Sequence, residues 1–223
     1  MAMKGFFSAH RGFWTRERRR SLAVALLLFA ISLFVQIVAG RHSARVAANS
    51  QFVGDLFLDW LPFFHLDLLL IQGVVLLWAG VTLLIAKRPA HILFTLKAVA
   101  VFIIIRAFFI NLTHMGIYPQ DVLSPHFTIG SGVYNHLTFQ GNFFFSGHTG
   151  MPFLMALIFW PEKPWRYFFL AVSAVLAVAV LLAHVHYSID VFASPFITYS
   201  IFCMTRHLFY EDYLLMRGRA SKS

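Results

Sequence analysis

Two histidine-bearing stretches hold the residues able to do chemistry. One is Phe145-Ser146-Gly147-His148-Thr149, the other His184-Val185-His186-Tyr187-Ser188-Ile189-Asp190. Each lies where an apolar run meets a polar one. A neutral imidazole is both a nucleophile and a base near physiological pH. Asp190, four residues after His186, can accept from Nδ1–H, fix the tautomer and leave Nε2 to attack. The same carboxylate would stabilise the imidazolium. His148, brought in from another helix, can protonate a leaving oxygen. Ser146, the Gly147 backbone N–H and Thr149 lie at an expected helix start, which favours anions. Together these parts describe phosphoryl transfer through a phosphohistidine. His184, two residues from His186, is expected to point elsewhere, and the remaining histidines are unassigned.

The elements that position these residues follow from the spacing. His148 and His186 are 38 residues apart. One helical bilayer crossing takes about 20 apolar residues. Two crossings carry the chain across and back, so both histidines return to one side of the membrane.

Composition supports that setting. Of 223 residues, 59% are hydrophobic and 12% charged, with 26 Phe. Soluble domains carry about a quarter charged residues. The chain reads as one multi-pass membrane domain over residues 21–209, between a basic tail (1–20) and a second tail (210–223). Cys203 is the single cysteine, which excludes an internal disulfide and a cysteine-based metal site. No metal and no cofactor is called for.

Six apolar spans are expected, an all-α bundle. They are Ser21 to Ala39, Leu66 to Ala86, Ile92 to Leu112, Gly147 to Trp160, Tyr167 to Ala183, and Tyr187 to Leu208. In the loop 40–65, Asp55 and Asp59 are four apart and would share a face of an interfacial helix. The third span contains Lys97 and Arg106. Lys97 is near enough to one end to snorkel. Arg106, in the outer half, could add positive charge for an oxyanion. The connection 113–145 carries no Lys or Arg, and a loop of that length is more often functional than not.

Basic residues set the orientation. Fourteen fall in the segments assigned to the inside and two, Arg41 and Arg45, outside. By the positive-inside rule both termini are cytoplasmic. His148, His186, Asp190 and the outer end of Arg106 then lie at the extracytoplasmic face. Topology accounts for the net charge of +9, which removes the nucleic-acid reading.

Phe144-Phe145-Ser146-Gly147-His148-Thr149 and His186-Tyr187-Ser188-Ile189-Asp190-Val191 resemble the third and fourth motifs of the sphingomyelin synthases, within the type-2 phosphatidic acid phosphatase superfamily. Asp55-Leu56-Phe57-Leu58-Asp59 resembles their first motif, and Ile105-Arg106 to Tyr118-Pro119 loosely resembles their second. The resemblance implies six helices and a triad of His148, His186 and Asp190. It also implies transfer of a phospho-headgroup from a phospholipid to a lipid hydroxyl of ceramide or diacylglycerol type. Arg106, Ser146, Gly147, Thr149, Tyr187, Asp55 and Asp59 are then the candidate substrate-binding residues. The family's Cys-Gly-Asp is Gln140-Gly141-Asn142 here, and its tyrosine-rich second motif is mostly absent. Headgroup and acceptor are left open.

A lipid phosphate phosphatase would use the same site with water as acceptor. Superfamily phosphatases resemble one another in a Lys-to-Arg-Pro motif before the Ser-Gly-His and an Arg six residues before the nucleophile. Here that position is Val180, and Arg106 is followed by Ala107. A phosphomonoester carries about −1.5 to −2 charge and needs several cations, whereas a diester carries one charge. The sparse cations favour a diester donor. A third reading, a non-enzymatic haem-binding or transport bundle, would need neither Asp190 nor Ser146.

Overall fold

The computed structural model describes residues 10–112, 115–118 and 144–219. The described residues are helical and contain no strand. The helices are α1 (Arg16–Ala47), α2 (Val74–Ala86), α3 (Pro89–Ile110), α4 (Gly147–Ile158), α5 (Lys163–Leu182), α6 (Ser188–Leu208) and α7 (Tyr210–Met216). A π-helical turn, Leu68–Gly73, runs directly into α2. Five of these stretches are long and apolar enough to cross a membrane, as in a multi-pass membrane protein.

α1 starts where Thr15 caps it, its side chain accepting from the Arg18 N–H at 3.3 Å. It continues eight residues past Ala39, where the polar Gly40-Arg41-His42 suggested a loop. The reason is its partner. Ala39, Gly40, Ser43 and Ala47 are buried, a small-residue seam along which α1 packs on α3. Small residues let helix backbones approach closely. α3 starts three residues earlier than expected because Pro89 occupies its first turn, where a missing N–H costs nothing.

The fourth expected span differs most. α4 is 12 residues long, about 18 Å at 1.5 Å per residue, against a hydrocarbon core of about 30 Å. Leu154, Met155, Ala156 and Ile158 are fully enclosed by the bundle, so α4 is an interior helix with α3, α5 and α6 around it. At Gly150 an added Cβ would lie 2.7 Å from Ser194 Oγ, 2.8 Å from Thr198 Oγ1 and 2.9 Å from Phe102 Cζ. Only glycine lets α4 come this close to α6 and α3.

The opposite end of the bundle is tied by charge. Arg88 pairs with Glu162 at 2.5 Å. Arg217 donates to the carbonyls of Ile158 (3.1 Å) and Leu157 (3.2 Å), closing the C-terminus of α4. Lys97 does not snorkel. It is 4% exposed and forms an ion pair with Asp212 of α7. It also donates to Ser21 Oγ at 2.9 Å, while Ser21 donates to Asp212 at 2.8 Å. A buried ammonium needs such partners, and a helix folded from the tail supplies the carboxylate. The expected interfacial helix at Asp55 is instead a set of tight turns over residues 56–60.

Candidate active site

His148 is the second residue of α4. Ser146 caps that helix, its Oγ accepting from the Thr149 N–H at 3.4 Å. The chain enters the cap with Phe144 and Phe145 at φ +82° and +28°, left-handed values that a side chain adopts only when its surroundings hold it. Three contacts hold this corner. The Phe144 N–H donates to Asp190 Oδ1 at 3.0 Å, and the Ser146 N–H to the Asp190 carbonyl at 2.9 Å. Ser194 Oγ donates to the Ser146 carbonyl at 2.9 Å.

His186 lies in the turn between α5 and α6. His184, at φ +53°, reverses the chain out of α5. Asp190 sits in the first turn of α6, fully buried. Its Oδ2 accepts from the Tyr187 N–H at 3.2 Å and lies 3.4 Å from His186 Nδ1. With Nδ1 turned to the carboxylate, Nε2 is the nitrogen left to act on a ligand. The His148 and His186 rings face each other at 6.1 Å between centroids, inclined at 68°. His148 Nε2 is 3.4 Å from the Leu70 carbonyl, which the π-helical turn presents.

Arg106 reaches this corner from α3. Its Nε donates to the Phe145 carbonyl at 3.1 Å, and a Cβ on Gly147 would stand 3.4 Å from that nitrogen. The guanidinium therefore lies against the start of α4, where the helix end also favours an anion. Arg106 is 8% exposed.

His148, His186, Asp190, Arg106, Ser146 and Gly147 thus meet in one place. Thr149 contributes through its backbone, its carbonyl accepting from Ser173 Oγ at 2.8 Å. The remaining candidates have partners of their own. Tyr187 turns its hydroxyl to the Gly116 carbonyl at 2.8 Å. Asp59 accepts from Tyr118 Oη at 2.7 Å. Asp55 Oδ2 accepts from the Ser188 N–H at 2.7 Å, and its Oδ1 from Phe57 N (2.9 Å) and Leu58 N (3.2 Å). His184 stands apart from His148, its ring edge-on to Phe63 at 5.6 Å and Tyr118 at 5.3 Å. Burial holds its imidazole below the usual range.

Sequence reasoning missed the Leu70 carbonyl and the Phe144 N–H, backbone groups that leave no residue-type signal, and Ser194, whose hydroxyl donates to the Ser146 carbonyl. Gln140-Gly141-Asn142 and most of the 113–145 connection lie outside the described residues. Among the described residues no cluster of ligating side chains suits a metal.

Residues 141–208 match the family model described as PAP2 superfamily C-terminal, a stretch that contains both histidine motifs. The match supports the type-2 phosphatidic acid phosphatase superfamily, which fits a lipid phosphatase or phosphotransferase acting in a membrane. No curated protein matches the chain.

Proposed function

We propose that the chain is a sphingomyelin synthase-like lipid phosphotransferase, moving a phospho-headgroup from a phospholipid to a lipid hydroxyl. The observation that carries this reading is the Asp190 carboxylate on His186 Nδ1 with His148 facing the same imidazole. His186 Nε2 attacks the donor phosphorus, and the bond from phosphorus to the diacylglycerol oxygen breaks. His148 gives that oxygen its proton. The phospho-headgroup rests on His186 while Asp190 stabilises the cationic ring. An acceptor hydroxyl, deprotonated by His148, then attacks phosphorus and the P–N bond breaks. Arg106 and the α4 terminus offset charge on the phosphoryl oxygens.

A diester donor is favoured over a phosphomonoester by the scarcity of cations among the described residues. Lys97, the other Lys or Arg of α3, lies nine residues from Arg106, about 14 Å along the helix, and is engaged by Asp212. One guanidinium and a helix start suit a singly charged diester better than a phosphomonoester. The test is the ratio of specificity constants for a zwitterionic phospholipid and phosphatidic acid in one detergent. A ratio above one with headgroup transfer supports this reading. A ratio well below one, with inorganic phosphate released, replaces it with the phosphatase.

The same reading places the site toward the extracytoplasmic face in a six-pass arrangement with both termini cytoplasmic. α4 begins beside Arg106, four residues before the end of α3, about 6 Å along that helix. A recessed start would let a short α4 complete the sixth pass. Ser124→Cys and Ser221→Cys should label from opposite faces, and labelling from one face overturns this topology.

A further inference from the structure

We propose that Asp55 is a positioning residue for the His186–Asp190 pair rather than a substrate ligand. This rests on the reading of His186 as nucleophile. Asp55 lies 133 residues before Ser188, yet its Oδ2 accepts from the Ser188 N–H at 2.7 Å. Ser188 is the first residue of α6, so that N–H is one of the donors a helix leaves without an internal partner. A carboxylate there also meets the positive end of the helix dipole. The second oxygen is held by the N–H groups of Phe57 and Leu58. Both oxygens thus have backbone donors, and the carboxylate is 7% exposed.

The clamp acts on the residues that matter. Ser188 is two residues after His186 and two before Asp190. Tyr187, between them, accepts from the Val53 N–H at 3.2 Å through its hydroxyl, two residues from Asp55. The same hydroxyl donates to Gly116, where an added Cβ would stand 2.3 Å from the Ser50 carbonyl. Residues 50–58 therefore grip the turn at two adjacent points. The His186–Asp190 contact is 3.4 Å, near the long limit of a hydrogen bond. A small roll of the α6 start would lose it and would swing Nε2 away from His148.

The test compares Asp55→Asn, Asp55→Glu and the unaltered protein in detergent. Asp55→Asn keeps one oxygen for Phe57 and Leu58 and places an amide donor against the Ser188 N–H. We expect kcat to fall about tenfold or more with KM changed less than about twofold, the pattern of lost transition-state geometry. Asp55→Glu, which keeps the charge, should restore part of kcat. Reactivity of His186 toward diethyl pyrocarbonate, read by peptide mapping, should rise severalfold in Asp55→Asn while that of His148 holds. A raised KM at constant kcat would mean Asp55 touches substrate and would overturn the proposal, as would unchanged His186 reactivity. The reactivity measurement needs no turnover. If the unaltered protein acts on no lipid phosphate, the function fails while the clamp is still decided.

Discussion

Asp190 and Phe144 are joined across 46 residues by a hydrogen bond of 3.0 Å, from the backbone of one histidine motif to the carboxylate of the other. The same carboxylate meets His186 through its second oxygen. One buried group thus faces His186 Nδ1 and holds the left-handed corner that carries Ser146 and His148. Chemistry and local structure are coupled at this residue, and its variants should separate them.

Asp190→Asn retains an acceptor for one of the two backbone donors but no longer stabilises an imidazolium. Turnover should drop by about four orders of magnitude, on the pattern of the serine triad. Asp190→Ala should in addition cost about 1–3 kcal/mol of stability, because buried N–H groups lose their acceptor. Initial rates and thermal unfolding of both variants check this.

His186→Ala and His148→Ala should each abolish turnover with helical content retained. In the unaltered protein, brief exposure to donor lipid should leave an acid-labile phosphoryl adduct on His186. The adduct should be weak or missing in His148→Ala, where the leaving oxygen is not given its proton. Near-normal turnover in His186→Ala would rule out the mechanism.

Gly150→Val should destabilise by about 1–3 kcal/mol, the usual cost of overpacking an interior. Its side chain would press on Ser194, Thr198 and Phe102, all within 3 Å of where a Cβ would stand. Gly80, where a Cβ meets nothing within 4 Å, provides the control: Gly80→Ala should be neutral or better. Melting temperatures in one detergent decide between them.

Lys97→Met alone strands the Asp212 carboxylate, which is 12% exposed. Removing one partner of a buried pair costs about 3–5 kcal/mol. Lys97→Met with Asp212→Leu should recover most of that loss. Equal destabilisation by the single and double variants would show that the pair contributes through packing alone.

Tyr118 donates to Asp59, and that bond, with burial and the Asp59 charge, pushes its phenol up to about 12. A raised value favours the neutral phenol in the folded protein. The contribution is full below about pH 10, the unfolded value, and is lost as pH rises toward about 12. Tyr118→Phe should flatten stability across that alkaline window and remove one late step from the ultraviolet titration of tyrosine.

The sequence by itself determined the helical class, because long apolar runs broken by charged turns have no other folded form in a bilayer. It also pointed to His148 and His186 meeting, because two apolar runs separate them, and to Asp190 lying one helical turn beyond the His186 corner. These are properties of spacing. What only the tertiary structure decided depends on which face each helix turns to its neighbours. α1 runs past Gly40 because α3 offers a seam there, and α4 is an interior helix because α3, α5 and α6 already surround it. Lys97 finds its carboxylate 115 residues away, in a helix formed from the tail. Asp55 and Tyr187 bond to backbone groups far along the chain. Backbone donors and acceptors are the same at every residue, so residue types cannot announce such partners; packing brings them within reach.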